Sequence, residues 1–330
     1  MKPTIIGILL LLVFTLTACQ SSEMLPGNTQ IPSNTQNTSQ VTETTSKETQ
    51  TPMTPQTTPV IIIAHRGARS LAPENTIMAA EIACNIGADM WELDVAMTYD
   101  GELVVIHDDT LTRTSNAAVI YPKKSPWNVH QFTLEELKTL DFGSWFLVED
   151  PFGTIKEGLI SVEDQEKMKN IQIPTLEEAL LFTRDNDWKV NIEIKDVTGT
   201  PGDATIVEQV VSLVEELDMA DSVIISSFNH TYLRRVKKVN PELAIAPIVN
   251  EGVSDPVALL NDLGAQAYHP GIKRIGNISR IALARNAGFD VNVWTVNDIE
   301  TMLALIEAGA SGLFTDFPQL GVQIRDGIIN

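Results

Sequence analysis

The sequence predicts an α/β fold, a closed (β/α)8 TIM barrel with an insertion after the second strand. Short apolar runs rich in β-branched residues alternate with longer helical patterns across residues 60–330, which is typical of a parallel sheet connected by helices. A closed barrel requires eight strands in about this length, and a doubly wound open sheet is the alternative. The eight predicted strands are Val60–Ala64, Met90–Met97, Val190–Lys195, Val223–Ser227, Ala244–Val249, Ala265–His269, Asp290–Thr295 and Gly312–Thr315.

Helical patterns fill the intervals between these strands. Thr76–Ile86 follows a Pro-Glu-Asn start, and Thr175–Arg184 opens with Thr-Leu-Glu-Glu, a helix-start pattern. Thr205–Leu217 and Ile299–Ala308 show the same periodicity, and the second ends before Gly309, a common helix stop.

The stretch from Leu111 to Ile173 departs from this alternation. It contains several Gly and Pro residues and only one good helical pattern, Leu134–Leu140. We expect it to be an insertion that lies over the mouth of the barrel, where it would help to shape a substrate pocket.

The N-terminal residues predict an exported, lipid-anchored protein. Residues 1–18 contain one basic residue and an apolar run too short to span a bilayer, as in a signal peptide. The run Leu16-Thr17-Ala18-Cys19 resembles the bacterial lipobox, so Cys19 is expected to carry lipid and hold the protein at the outside of a bacterial cell membrane. An ordinary signal peptide with an incidental cysteine is the alternative.

Composition separates the remaining regions. Of the 40 residues from Gln20 to Pro59, 30 are Ser, Thr, Asn, Gln or Pro, so residues 19–59 are expected to form a disordered linker before a domain at 60–330. The formal net charge is −20, which argues against nucleic acid as a partner. Cys84 is expected to pack as a small apolar group on a helix. The sequence does not indicate an oligomeric state.

Carboxylates in two predicted strands indicate a metal site. Glu92 and Asp94 are two residues apart, as are Glu193 and Lys195, so each pair shares one face of its strand. Buried carboxylates are costly unless they are paired or bind a cation, and three of them favour Mg²⁺ or Ca²⁺. The alternative is an ion pair of Lys195 with Glu193 or Asp94 and no metal.

Two histidines stand where strands end and should face the barrel mouth. His65-Arg66-Gly67 ends the first strand, and His107-Asp108 follows the hairpin at Asp100-Gly101. A histidine pair across a phosphoryl group can serve as general acid and base. Arg66 and Lys195 suit phosphate oxygens. His130 and His230 are interpreted as core or surface residues, and His269 is left open.

Together these motifs resemble the glycerophosphodiester phosphodiesterase family. The resemblance extends over residues 60–320, with no departure at a catalytic position. The motifs that carry it are His65-Arg66-Gly67, Pro73-Glu74-Asn75-Thr76, Glu92-Leu93-Asp94-Val95, His107-Asp108, Asp141-Phe142-Gly143-Ser144-Trp145-Phe146, Glu193-Ile194-Lys195, Ser226-Ser227-Phe228, Val293-Trp294-Thr295-Val296-Asn297 and Thr315-Asp316-Phe317-Pro318.

The resemblance implies roles for these residues. His65 and His107 would be the acid/base pair, while Arg66 and Lys195 would bind phosphate. The metal ligands would be Glu92, Asp94 and Glu193. Trp294, together with Phe228 and Trp145, would line the glycerol and head-group pocket, with core packing an equal alternative for Phe228. Glu74 and Asn75 would support the site or simply start a helix.

The expected activity is metal-assisted hydrolysis of a glycerophosphodiester, a small molecule, to sn-glycerol 3-phosphate and an alcohol. One alternative is cleavage of lysophospholipids or other phosphodiesters, favoured by the aromatic residues of the insertion. A metal-dependent amidohydrolase is disfavoured. Barrels of that class use a pair of metal-binding histidines on the first strand, and this sequence has His65-Arg66 at that place. An inactive lipoprotein that binds glycerophosphodiesters is the alternative from another class.

Overall fold

In the computed structural model, residues 59–250, 253–272 and 279–329 are described. The predicted signal peptide, Cys19 and nearly all of the predicted linker lie outside these residues. Twelve α-helices and nine strands occur in the described part of the chain. The strands are β1 Ile61–Ala64, β2 Met90–Met97, β3 Leu103–Val105, β4 Val190–Ile194, β5 Val223–Ser227, β6 Ala244–Val249, β7 Ala267–Pro270, β8 Asp290–Val293 and β9 Gly312–Thr315.

Eight of these strands form a closed parallel barrel. The neighbours run β1-β9-β8-β7-β6-β5-β4-β2, and β1 also pairs with β2, with Ala64 opposite Trp91. The predicted TIM barrel is therefore confirmed, and the open doubly wound sheet is wrong. The additional strand β3 is antiparallel to β2, with Val95 opposite Val105.

Helices surround the barrel and begin largely where the sequence predicts. Thr76 and Thr175 cap their helices, and Thr175 forms a capping box with Glu178. The helices outside the insertion are α1 Ile77–Ile86, α6 Leu176–Asp185, α7 Ile206–Glu216, α8 His230–Val239, α9 Pro256–Leu263, α10 Ser279–Asn286, α11 Ile299–Glu307 and α12 Pro318–Arg325. In the described ranges, no helix is long and apolar enough to cross a membrane.

Side-chain alternation places the acidic residues of β2 on the face opposite its large apolar residues Trp91 and Leu93. Trp91 and Leu93 of β2 are fully buried in the core between barrel and helices. Glu92 and Asp94, also buried, stand on the opposite face of the same strand and pair in register with Asn191 and Glu193 of β4. The barrel interior therefore holds these polar groups, as the two-residue spacing predicts, together with an apolar cluster of Ile63, Met90 and Phe314.

The segment between β3 and β4 contains more helix than the sequence indicates. The predicted helix Leu134–Leu140 is shorter, and three others accompany it, because helices of four to six residues are too short to show a clear periodicity. The four are α2 Ala117–Ile120, α3 Leu134–Leu137, α4 Ser144–Glu149 and α5 Val162–Lys167.

This segment has its own apolar core. Phe132 and Leu137 pack with Val104 and Ile106 of the hairpin region. Phe146, which is fully buried, packs in a second cluster with Ala79 of α1 and other residues. The segment is thereby attached to the elements that carry the N-terminal site motifs.

Candidate active site

Three carboxylates from β2 and β4 meet inside the barrel. One oxygen each of Glu92, Asp94 and Glu193 lies within 4.8 Å of the others, and all three residues are buried. This is the cluster that the two-residue spacing in each strand predicts.

Two cations contact this cluster. Lys195 Nζ lies 2.8 Å from Glu193 Oε1 and 3.4 Å from Asp94 Oδ1, and Arg66 Nε lies 3.3 Å from Asp94 Oδ2. The Arg66 amide also donates to Glu92 Oε2 at 2.8 Å. Arg66 has a φ of 57°, a left-handed conformation that costs free energy and is often found at functional sites.

The pKa values of the three carboxyl groups shift in different directions because their neighbours differ. Burial raises the pKa of Glu92 well above its usual value, and the negative charges of Asp94 and Glu193 raise it further. Burial and Asp94 also raise the pKa of Glu193, against the effect of Lys195. Burial would raise the pKa of Asp94 too, but Lys195 and Arg66 hold it well below its usual range.

The donor set fits a hard divalent cation. Both Lys195 ion pairs of the metal-free alternative are present, yet among the described residues no Lys, Arg or His side chain lies within 4.0 Å of a Glu92 carboxylate oxygen. Three buried carboxylates therefore face two cationic side chains. Oxygen ligands of this kind are those that Mg²⁺ and Ca²⁺ prefer.

His65 is held by a carboxylate from the other end of the chain. Its Nδ1 lies 2.6 Å from Asp316 Oδ1, and Asn297 Nδ2 donates to Asp316 Oδ2 at 2.7 Å. Burial and the positive charge of Arg66 lower the pKa of His65, against the opposing effect of Asp316. Asp316 was noted only within a family motif, although its position directly after β9 places it at the same barrel edge as His65.

His107 is also held by a carboxylate, that of Asp108, which lies next to it in the segment after β3. Its Nδ1 lies 2.7 Å from Asp108 Oδ1, and Arg113 Nε donates to Asp108 Oδ2 at 2.7 Å. Burial would raise the pKa of Asp108, but hydrogen bonds from His107 and Arg113 lower it below its usual range. Sequence reasoning missed Arg113, for which no local pattern gives a signal.

Glu74 connects the two histidine loops. Its carboxylate accepts hydrogen bonds from Arg66 at 2.8 Å, from Arg69 at 2.7 Å and from Arg113 at 2.7 and 3.0 Å. Its neighbour Asn75 donates from Nδ2 to Asp94 Oδ2 at 2.8 Å. Both residues therefore do more than start a helix: they tie loop residues to the carboxylate cluster.

One pocket, with a cavity volume of about 140 Å³, collects most of the predicted site residues. Those that line it are His65, Arg66, Glu92, His107, Glu193, Phe228 and Trp294. Lys195 contacts Glu193 of this lining, and Asp94 belongs to the same carboxylate cluster. The Phe228 and Trp294 rings meet edge to face at 5.5 Å, and Phe228 remains 42% exposed, so it is not a core residue.

Of the remaining histidines and Trp145, one residue lies in the lining of this pocket. His269 lies in the pocket lining, while His130 and His230 do not. Trp145 is also absent from that lining; it packs in the cluster around Phe146, with the Arg113 guanidinium 5.7 Å from the centre of its ring. The ring of Trp145 therefore contributes to packing within the insertion, and its expected role in the head-group pocket stays a prediction.

Comparison with known proteins identifies the family. The profile of the glycerophosphoryl diester phosphodiesterase family matches residues 65–320. A glycerophosphodiester phosphodiesterase of Caldanaerobacter subterraneus subsp. tengcongensis is 38% identical over 260 residues, covering 78% of this chain and 95% of that protein. The enzyme of the same name from Bacillus altitudinis is 35% identical over 268 residues, covering 80% and 98%.

A solved structure supports the same relationship. An Oleispira antarctica phosphodiesterase, in complex with the product sn-glycerol-3-phosphate, matches with a TM-score of 0.65 and 27% identity, covering 81% of this chain and 96% of that one. The resemblance predicted from the motifs is thus confirmed, and the chain belongs to the glycerophosphoryl diester phosphodiesterase family.

Proposed function

We propose that this enzyme hydrolyses glycerophosphodiesters to sn-glycerol 3-phosphate and an alcohol, with one divalent cation, Ca²⁺ or Mg²⁺, held by Glu92, Asp94 and Glu193. The observation that carries this proposal is a buried three-carboxylate cluster in one pocket with two histidines, each supported by its own aspartate. The Oleispira antarctica relative, solved with sn-glycerol-3-phosphate, supports the product.

The cation would supply a Lewis acid that polarises a phosphoryl oxygen. Arg66 and Lys195 add positive charge beside it and would orient the phosphate. His65 is the proposed general base, because its lowered pKa keeps the ring neutral and able to accept a proton from the nucleophile. His107, on the loop after β3, would protonate the leaving alkoxide as the phosphorus–oxygen bond breaks.

The test is release of sn-glycerol 3-phosphate from glycerophosphocholine by the purified chain. Activity should be lost with EDTA and return with Ca²⁺ or Mg²⁺. H65A and H107A should each lose on the order of 10²–10⁴ in rate, whereas H130A, outside the pocket lining, should keep the wild-type rate. Retained turnover in both site variants would refute the acid/base assignment. Binding without product under any added metal would favour the binding lipoprotein instead.

The aromatic residues of the insertion give divided support to the lysophospholipid alternative. Phe132 and Phe146 are fully buried and Phe142 is 5% exposed, whereas Trp127, Trp145 and Phe152 are half-buried. A liposome assay beside the glycerophosphocholine assay separates the two substrates, and faster cleavage of lysophosphatidylcholine would overturn the preference for the soluble diester.

We also propose that the protein is exported and anchored through lipid on Cys19. The support is the Leu16-Thr17-Ala18-Cys19 sequence, which lies outside the described residues. Replacement C19S should move the protein from the membrane fraction to the soluble fraction of producing bacteria. A variant that stays with the membrane would refute the anchor.

A further inference from the structure

Two aromatic rings of the insertion lie over arginines that belong to the histidine loops. The Arg69 guanidinium is 5.4 Å from the centre of the Phe152 ring, and the Arg113 guanidinium is 5.7 Å from the centre of the Trp145 ring. A cation within about 6 Å of a ring centre is attracted to the face of the ring. Both rings pack in the apolar cluster around Phe146. One packed unit, here called the Phe146 cluster, therefore contacts both arginines.

Arg69 connects the carboxylate that holds His65 to Glu74. Its Nη1 lies 3.4 Å from Asp316 Oδ1, the oxygen that contacts His65, and its Nη2 donates to Glu74 Oε2 at 2.7 Å. The Arg69 and Asp316 side chains are only 17% and 9% exposed, so solvent ions screen this pair weakly. The position of Arg69 therefore affects the carboxylate that orients His65.

Further contacts attach the segment around Phe152 to the same place. The Phe152 ring meets Phe317 edge to face, with ring centres 5.5 Å apart, and Phe317 directly follows Asp316. The hydroxyl group of the buried Thr154 donates to the Ser70 carbonyl at 2.7 Å. The insertion thus contacts both the loop after β1 and the residue that follows Asp316.

Arg113 makes the equivalent connection for His107. Its Nε and Nη2 donate to the two Asp108 carboxylate oxygens at 2.7 and 3.0 Å, and its Nη1 and Nη2 donate to Glu74. Asp108 Oδ1 in turn contacts His107. Carboxylates and guanidinium groups therefore alternate without a break between the two histidines. In order, they are Asp316, Arg69, Glu74, Arg113 and Asp108.

The physical role of the rings follows from the shape of the guanidinium group. This group is a planar fork, so its orientation decides which carboxylate oxygens it can reach. Arginine also has several rotatable bonds, and a ring beside it limits the conformations that it can adopt. Because a misplacement of about 1 Å can lower a catalysed rate by roughly 100-fold, contacts that fix the two arginines should matter for turnover.

We propose that the Phe146 cluster of the insertion positions both histidines, with Phe152 holding Arg69 and Trp145 holding Arg113. The proposal deepens the function proposed above and rests on its acid/base pair. Both arginines are then positioning residues, which act through the aspartates that contact the histidines. Turnover should accordingly depend on the packing of the insertion even where substrate affinity does not.

Steady-state hydrolysis of glycerophosphocholine by single and double variants tests this. F152L and W145L should each lower kcat by roughly 3- to 10-fold while KM stays within about twofold, because acid/base groups act mainly in the transition state. R69A should lower kcat by roughly 10- to 100-fold. If Phe152 acts through Arg69, adding F152L to R69A should lower kcat by less than about twofold more, and W145L added to R113A should behave in the same way.

Two other cation–ring contacts provide matched controls. In the other apolar cluster of the insertion, Lys124 lies 5.5 Å from the centre of the Tyr121 ring, so Y121L removes a similar contact that is not connected to Glu74. The Arg235 guanidinium lies 5.3 Å from the centre of the Tyr232 ring and pairs with Glu208. Both Y121L and R235A should keep the wild-type kcat.

The outcomes separate this inference from the function on which it rests. A wild-type kcat in F152L or W145L would overturn the role of that ring, and these two variants decide the matter if R69A does not fold. Full additivity of F152L with R69A would overturn the role of the arginine as the link. Retained turnover in H65A and H107A would refute the proposed function, whereas its loss there beside wild-type rates in F152L and W145L would refute the inference alone.

Discussion

Replacing Asp316 with asparagine removes a charge from His65 and keeps the shape of its partner. The 2.6 Å contact is poorly screened, because the Asp316 side chain is only 9% exposed. If His65 is the base, it becomes positively charged in the transition state, and the carboxylate then stabilises it more strongly than in the ground state. A hydrogen bond to a charged group contributes about 1.5–3 kcal/mol, which corresponds to a roughly 10- to 150-fold loss in kcat/KM for D316N.

The pH profile gives a second, independent readout of D316N. Burial and Arg66 lower the pKa of His65, while Asp316 raises it. Removing the carboxylate should therefore lower that pKa further and move the acid limb of kcat/KM to lower pH, because a base must be unprotonated to act.

The assay is glycerophosphocholine hydrolysis across pH, with D298N as the matched control. Asp298 accepts a hydrogen bond from the Thr301 amide as the N-cap of α11, and asparagine is an equally good cap, so D298N should behave like the wild type. Activity of D316N within twofold of wild type, with an unmoved acid limb, would refute the role assigned to Asp316.

Three further predictions concern stability, each measured by urea unfolding. Glu74 is buried among three arginines, so E74Q should lose about 3–5 kcal/mol at pH 7. Although burial opposes it, Arg113, Arg66 and Arg69 hold the pKa of Glu74 below its usual range. The difference in free energy of unfolding between the wild type and E74Q should therefore shrink as pH falls below about 4. A difference that stays constant with pH would contradict this. In α4, F146A should lower the free energy of unfolding by about 3–5 kcal/mol. V148A, at a position that is 80% exposed, should lower it by less than about 0.5 kcal/mol. Equal losses in the two variants would contradict the assigned packing. T175A removes a capping-box hydrogen bond and should lower the free energy of unfolding by about 1 kcal/mol. T205A should lower it less, because the Thr205 side chain makes no capping hydrogen bond. The reverse order would contradict the capping role of Thr175.

The network around Glu74 links catalysis to the insertion. Arg113 contacts Asp108, which holds His107, and its guanidinium also lies over Trp145. Packing inside the insertion can therefore affect the position of His107. Trp145, one of the aromatic residues that suggested lipid contact in the sequence, takes part in this network.

Local patterns were sufficient for much of the architecture and for the carboxylate cluster. Strands, capped helices and face alternation depend on residues close in sequence, so eight apolar runs predicted the barrel. The spacing of Glu92 from Asp94, and of Glu193 from Lys195, placed each pair on one face. The short helices α2, α4 and α5 escaped prediction because a single turn or two has no distinct period.

The sequence by itself thus determined the barrel, the two histidines at strand ends and the carboxylates that could hold a cation. Only the tertiary structure decided which groups support them. Asp316 reaches His65 across 251 residues because barrel closure places β9 beside β1. His269 Nε2 meets the Asn292 side chain only because β7 and β8 pair side by side. Such contacts depend on how distant strands close around a shared interior, which the period of a single strand does not encode.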